Sequence, residues 1–355
     1  MQGAAILAQR ASLQVMSDVN RIRAVTGSDV ARIAGVSQAT VSLVVTGKTR
    51  GRISDERRER VLKVARDLNY EPNASARSLR LGRARTIALI VPNVANPFFS
   101  SVLLGAERAA RERDYAVMLL DTGADPDWQD WVGGVLAARA VDGCIVYAAD
   151  PLSARQVRQL GRRVVLVEAR SRGAGSVELD IEGGIRAAME HLLELGHRRI
   201  AHLAAAFDQE TFRLRESTYR TSLGAAGIPV RPEYGVRAYF DIESSTAAAR
   251  RLLEVQPELT AILCDDDLLA AGAYKAASAL GRRIPDDLSV VGFDDIELAR
   301  MLEPELTTVA IPAGQIGARA MEIVLGLVNG EKASSTTIAL ELRVRGSSGP
   351  VAPGG

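Results

Sequence analysis

Carboxylates, a pair of arginines and two adjacent phenylalanines stand just after apolar runs in the C-terminal three-quarters of this chain. Asn96, Phe98 and Phe99 follow the run Ile87–Val91, and Asp265, Asp266 and Asp267 follow Ala261–Cys264. Asp294 and Asp295 follow Ser289–Phe293, while Arg213 and Arg215 follow the region Ile200–Thr211. Carboxylates accept paired hydroxyl donors, a guanidinium donates in a fixed fork, and a ring covers the apolar face of a sugar or base. Such a set fits a polyhydroxylated small molecule. Plainer readings stand beside it. Asp294 and Asp295 could cap a helix, and Phe98 or Phe99 could be core. Asp265–Asp267 could hold a divalent cation, although no further carboxylate stands at a suitable spacing.

Other chemistries find little support. No G-x-G-x-x-G follows an apolar run, and no G-x-x-x-x-G-K-[ST], G-x-S-x-G or paired acid–base constellation occurs, which argues against an enzyme. His191, His197 and His202 match no metal or catalytic spacing; His197 falls at a helix end, where a cation is favoured, and reads as structural. Cys144 and Cys264 lie in apolar stretches far apart, which excludes a disulfide scaffold and a four-cysteine zinc site and leaves them as core residues. No cofactor is expected.

The elements that must position these residues alternate. Strands are expected at Ile87–Val91, Ala116–Leu120, Gly143–Tyr147, Val164–Val167, Ile200–Leu203, Val236–Phe240, Ala261–Cys264 and Ser289–Phe293. Helices are expected at Phe99–Arg113, Gly183–Leu195, Ser244–Glu254 and Leu268–Leu280. Strands alternating with helices imply parallel sheets covered on both faces, and about 260 residues suggest two lobes. Ligands of such sheets bind at the carboxyl ends of the strands, where the singled-out residues fall.

The 355 residues carry a net charge of only +1, with 47% hydrophobic and 25% charged residues, which rules out wholesale disorder. The balance hides an asymmetry. Residues 1–85 hold 16 Lys and Arg against 7 Asp and Glu, a net of +9, and the remainder holds 28 against 36, a net of −8. A basic head on an acidic body points to an anionic polymer at the head. No apolar stretch is long enough for a membrane span or an export signal.

Within the head, Thr26 and Asp29 form a capping-box pattern for a helix through about Ala34, with Val30, Ala31, Ile33 and Ala34 as its apolar face. Gly35 ends it, and Ser37 opens a second helix with Val41, Val44 and Val45 on one side. Two short helices joined by a glycine turn form a helix-turn-helix, whose free face (Gln38, Ala39, Ser42, Leu43) suits a DNA major groove. A basic loop bearing Lys48, Arg50 and Arg52 follows, then a third helix from Ser54 or Asp55 to about Leu68, with Arg57 beside the loop as a phosphate contact. Asn73–Leu79 is too short to be helical alone; with Arg77, Arg80, Arg83 and Arg85 around Leu79, it suits an apolar wedge in a minor groove.

These stretches, SDVARIAGVSQATVSLVV and NYEPNASARSL, together with NPFF, DDDLLAAGAYKAA, IPDDLSVVGFDD and PELTTV in the body, resemble the lactose/galactose repressor (LacI/GalR) family of bacterial transcription regulators over about residues 26–345. The resemblance implies a ligand-responsive repressor, cytoplasmic and nucleoid-associated, that binds a palindromic duplex DNA operator as a homodimer, with a tetramer left open. The effector would be a sugar, sugar phosphate or nucleoside. It implies DNA contacts from Ser37, Gln38, Ala39, Thr40, Ser42 and Leu43, from Arg52, Ser54, Arg57, Tyr70 and Asn73, and from Ala76 and Leu79 in a hinge helix. It implies an effector site of Asn96, Phe98, Phe99, Arg215, Asp265 and Asp294, with Asp150 a weaker candidate. Leu43 stands where some members carry a base-reading arginine or histidine, and Thr46 where Asn is common. Asp265 stands where many members carry Asn.

The competing readings are a sugar-binding protein or an enzyme of doubly wound α/β fold without DNA binding. The expected organisation is an N-terminal extension (1–25) without order, an all-α helix-turn-helix domain (26–72), a hinge helix and linker (73–85), a two-lobed periplasmic-binding-protein-like α/β domain (86–345) and a flexible tail (346–355). Met16 is an alternative start. Deleting residues 1–85 is expected to abolish duplex DNA affinity, read by gel shift, while the remaining body still binds its small-molecule ligand.

Overall fold

The computed structural model describes residues 25–45, 53–70, 83–123, 128–138, 140–147, 155, 163–171 and 173–351. The chain forms two compact units that divide between Arg83 and Ala84. The amides of Ala84 and Arg85 both donate to the Asp142 carboxylate at 2.8 Å, so the body begins at 84, two residues before the expected boundary.

The first unit packs α1 (Gly27–Ala34), α2 (Gln38–Val45) and α3 (Asp55–Asp67) around Val30, Ala34, Val41, Val44, Val61 and Ala65. Its start follows the sequence signal. The Thr26 hydroxyl accepts from the Asp29 amide while the Asp29 carboxylate accepts from the Thr26 amide, satisfying two donors that the first helical turn leaves open. Gly35 turns left-handed at φ 63°, which a side chain resists, and α2 restarts where the Thr40 amide donates to the Ser37 hydroxyl at 3.2 Å. One expectation fails: Ile33 is 52% exposed and does not join the buried face of α1. An eight-residue helix turns only one stripe inward, and Val30, Ala31 and Ala34 already fill it.

The second unit contains two six-stranded sheets. The first lobe builds its sheet from β1 (Thr86–Val91), β2 (Ala116–Asp121), β3 (Gly143–Tyr147), β4 (Val164–Val167) and β5 (Gly175–Leu179), with β11 (Ser335–Ile338) returning late in the chain. The second uses β6 (Ile200–Ala205), β7 (Gly235–Ala238), β8 (Ala261–Cys264), β9 (Ser289–Asp294), β10 (Thr307–Ala310) and β12 (Glu341–Arg343). The orders are β11-β5-β4-β3-β1-β2 and β12-β10-β9-β8-β6-β7, parallel throughout except for the β10–β12 pair. Interior strands such as β3, β4, β6, β8 and β9 are buried along their whole length, whereas the edge strands β2, β7, β11 and β12 alternate or face water. That is the pattern of sheets covered on both faces.

Helices α4 (Phe98–Arg111), α5 (Trp128–Ala137), α6 (Ile181–Glu194), α7 (Glu210–Ala225), α8 (Ile242–Val255), α9 (Asp267–Ala279), α10 (Leu298–Met301) and α11 (Ala313–Val328) lie between the strands. The chain crosses between lobes three times: from β5 through α6 to β6, from β10 through α11 to β11, and from β11 to β12. Three strands close together bind the lobes without fusing them. Helices α4 and α11 meet backbone to backbone: a Cβ on Gly105 would lie 2.0 Å from the Gly314 carbonyl oxygen, and one on Gly317 1.9 Å from that of Val102.

The expected tail is a correction. Residues through Val351 pack on the second lobe. Ser347 is fully buried, its hydroxyl donating to the Val290 carbonyl at 2.6 Å and accepting from the Thr307 amide at 2.7 Å. The Gly349 carbonyl accepts from His197 Nε2 at 3.0 Å, and the Val351 amide donates to Leu195. Small hydroxyl residues read as linker by composition; here they satisfy backbone groups at a strand margin. Burial also lowers the pKa of His197, whose ring is held by hydrogen bonds to Thr260, Ser289 and Gly349.

Gly317→Ala is expected to lower the thermal midpoint, since its methyl meets a backbone oxygen that cannot yield; overpacking costs about 1–3 kcal/mol. Gly134→Ala, with nothing within 4 Å of the new atom, leaves the midpoint unchanged or raises it.

Candidate functional site

The carboxyl ends of both sheets face a cavity of about 460 Å³. Its first-lobe wall carries Asn96, Phe98 and Phe99 after β1, Asp121 at the end of β2, Tyr147 at the end of β3 and Glu168 just after β4. The second-lobe wall carries Phe207, Thr211, Phe212 and Arg215 from β6 into α7, Phe240 after β7, Asp266 after β8 and Asp294 at the end of β9.

Two groups of rings line these walls. Phe98, Phe99 and Tyr147 meet edge to face with centroids 5.0–5.8 Å apart. Phe207 packs against Phe240 at 5.2 Å and Phe212 against Phe240 at 5.7 Å. Rings in such offset contact hold one another in place and present stable apolar surface.

The polar groups form a network across the lobes. The Asn96 side chain caps α4 by accepting from the Phe98 amide at 3.0 Å, and its Nδ2 reaches over to donate to Asp266 Oδ2 at 3.3 Å. Asp266 caps α9 through the Leu268 amide at 2.6 Å and is in hydrogen-bond contact with Asp294. Burial, then the neighbouring Asp266 charge, raises the Asp294 pKa well above the usual carboxylate range; two facing carboxyls out of water hold a proton between them. Asp294 has a left-handed backbone, φ 113°, at the very end of its strand, an uncommon conformation that aims the carboxyl into the cavity. Glu168, also at positive φ, accepts from the Tyr147 hydroxyl at 3.1 Å. Burial raises the Glu168 pKa, and Arg215 opposes the rise.

Arg215 is the guanidinium among these acids. It is buried, lies over the Phe293 ring at 3.8 Å from its centroid, and donates through Nη1 to the Asp265 carbonyl. Its Nε has no partner among the described residues. A buried donor left open toward a cavity is ready for a ligand acceptor.

Asn96, Phe98, Phe99, Arg215 and Asp294 therefore come together from distant parts of the sequence. Asp265 does not join them. Its side chain turns under the sheet, where Oδ1 accepts from His202 Nε2 at 2.8 Å and Oδ2 from the Ala205 amide at 2.9 Å. The three consecutive aspartates point to three places, since Asp267 accepts from Thr308 and the Ile296 amide. Alternation at a strand end sends neighbours opposite ways, so the cavity receives Asp266. Asp295 spends its carboxylate on Arg345 at 2.5 Å, and neither it nor Asp294 caps α10. Tyr147, Glu168, Thr211 and the Phe207–Phe212–Phe240 group are additions. Tyr147 and Glu168 obey the same strand-end rule that singled out Asp294 and were legible by it.

In the first unit, Gln38 and Ala39 are exposed on α2, whereas Thr40, Ser42 and Leu43 are half-buried. Ser37 and Thr40 share a hydrogen bond at the helix start. Ser54 precedes α3 without capping it through its side chain, Arg57 is exposed, and Tyr70 packs on the small core with its hydroxyl close to Gly27. Lys48, Arg50, Arg52, Asn73, Ala76, Arg77, Leu79, Arg80 and Asp150 lie outside the described residues.

Known proteins share this arrangement. Residues 26–73 match the family described as bacterial regulatory proteins, lacI family, and residues 189–348 match a periplasmic binding protein-like domain. The ribose operon repressor of Haemophilus influenzae is 33% identical over 320 residues, covering 89% of this chain and 96% of its own. The chain belongs to the LacI family. The HTH-type transcriptional repressor CytR of Escherichia coli is 32% identical over 330 residues, 91% of this chain and 96% of that protein. The lac repressor dimer bound to operator and an anti-inducer superposes with a TM-score of 0.80 at 26% identity, covering 92% of this chain and all of that one. The fold is thus the expected one, helix-turn-helix plus two-sheet α/β body, and the protein is a family transcriptional regulator rather than an enzyme.

Asp294→Asn tests the shared proton. A folded-state pKa raised above the unfolded one supplies stability that is full below about pH 4 and lost as pH rises through the folded value. Wild type is therefore expected to lose thermal midpoint between pH 5 and pH 8 relative to Asp294→Asn; parallel melting curves at both values would contradict the pairing.

Proposed function

We propose that the cavity binds the small-molecule effector of a transcriptional repressor, and that occupancy controls how a homodimer grips a palindromic operator. The carrying observation is the hydrogen-bonded cluster of Asn96, Asp266 and Asp294 beside Arg215, with side chains from both lobes meeting in one cavity. A ligand that bridges these groups favours one relative position of the lobes, and only such a differential preference moves DNA affinity.

Charge narrows the ligand. Asp121, Glu168, Asp266 and Asp294 face one guanidinium, which repels a phosphorylated effector and suits uncharged hydroxyl and amide donors. Aromatic walls on both sides suit a ligand with a flat or apolar ring face. The reading is a neutral sugar or a nucleoside, and it disfavours a sugar phosphate. Relatives carry related cargo in their names: one solved structure is a CelR–cellobiose complex, at 31% identity and a TM-score of 0.68 over 91% of this chain and 99% of that one.

The DNA reader in this proposal is α2, with Ser37, Gln38, Ala39, Thr40, Ser42 and Leu43 toward the bases and Arg52, Ser54, Arg57, Tyr70 and Asn73 toward phosphates. Ala76 and Leu79 would enter the minor groove. One short helix reads few base pairs, so two copies on two half-sites supply useful specificity. Such a regulator works in the bacterial cytoplasm, at the nucleoid; no helix of the described residues is long and apolar enough to cross a membrane.

A thermal-shift screen of neutral sugars, nucleosides and their phosphates is the experiment. The expected result is a midpoint rise with a neutral compound, absent in Arg215→Ala, with DNA binding of that variant intact. A response confined to phosphorylated compounds would overturn the ligand class, and an unchanged response in Arg215→Ala would misplace the site.

A further inference from the structure

A second cavity, of about 500 Å³, opens on the second lobe between β6, α7, β7 and α8. Four arginines border it, Arg220, Arg231, Arg237 and Arg251, against one acid, Glu216. Glu216 is already shared, accepting from Arg220 at 3.1 Å and Arg237 at 2.6 Å. Arg231 leans over the Tyr234 ring at 5.4 Å and donates to its hydroxyl at 3.2 Å, which itself donates to Glu258 at 2.8 Å; neither Arg231 nor Arg251 closes an ion pair among the described residues. This concentration of positive charge sits on the acidic part of the chain, where a solvated surface would carry mixed signs.

We propose that this cavity is a binding site for a small phosphorylated metabolite, separate from the effector cleft. Guanidinium forks match phosphate oxygens bidentately, and several donors around one concavity fix an anion that isolated surface arginines would not. The volume admits a small molecule carrying one or two phosphoryl groups. Its floor is His202, whose ring stacks on Tyr219 at 5.0 Å and donates to the buried Asp265. Asp265 in turn offers its carbonyl to Arg215, so one hydrogen-bonded chain runs from the arginine cavity to the cleft.

The chain's three histidines make the test direct. His191 and His197 bond to Ser348 and Gly349, away from this cavity, and serve as internal references. Pyrophosphate, titrated into the full chain at constant ionic strength and followed by histidine ring signals in NMR, is expected to shift His202 saturably with a Kd of about 1 mM or tighter. The references stay fixed. Arg231→Gln with Arg251→Gln, both exposed and outside the cleft, weakens binding at least about tenfold. The proposal is overturned if His202 does not move, if all three rings move together, or if the double variant binds as wild type does. The outcome is independent of what fills the effector cleft.

Discussion

Two carboxyl groups, Asp266 and Asp294, face each other out of water with a single guanidinium nearby, and the body of this protein is organised around that unfavourable arrangement. Left alone, two buried like charges on one lobe force a proton between them. The structure eases the conflict with the amide of Asn96, which reaches across from the other lobe, and with Arg215, clamped over Phe293. Arg215, buried at the cavity, keeps its Nε without a partner among the described residues. A ligand rich in hydroxyls completes what the protein leaves incomplete, and so the same atoms recognise the ligand and sense the position of the lobes.

Holding that cluster requires precision from elements far apart in sequence. Parallel strands deliver residues to one end of each sheet, and three chain crossings keep the two ends opposed. Helices α4 and α11 approach so closely, through Gly105, Gly314 and Gly317, that Phe98 and Phe99 at the start of α4 are fixed with respect to the body. The His202–Asp265 pair supports the back of the cleft, since Asp265 orients Arg215 through its carbonyl while its carboxylate ties down β6.

The sequence made much of this legible. Apolar runs bounded by Asp, Asn and Phe located β1, β3, β4, β6, β8 and β9 to within two residues, whereas the interior strands β5 and β10, which carry Ser176, Glu178, Thr307 and Thr308, were not expected because polar residues interrupt their runs. Edge strands β11 and β12, and the helices that start without a cap or run polar such as α7, gave no comparable signal. Asp265 stands one residue before the cavity-lining Asp266, and a one-residue step at a strand end reverses the side chain's direction. Glu168 and Tyr147 obey the strand-end rule as well. The C-terminal serines and glycines misled for another reason: composition does not distinguish a linker from a segment whose small polar groups satisfy a sheet margin.

The basic head and the sensing body make one regulator only if duplex DNA is read in two symmetric halves and released or gripped on command. Selection from random duplexes with the full chain, repeated in the presence of the metabolite that raises its melting temperature, addresses this most directly. A single palindrome is expected, with its affinity changed by the metabolite. Recovery of no preferred sequence, or of one whose affinity ignores the bound metabolite, would contradict the account.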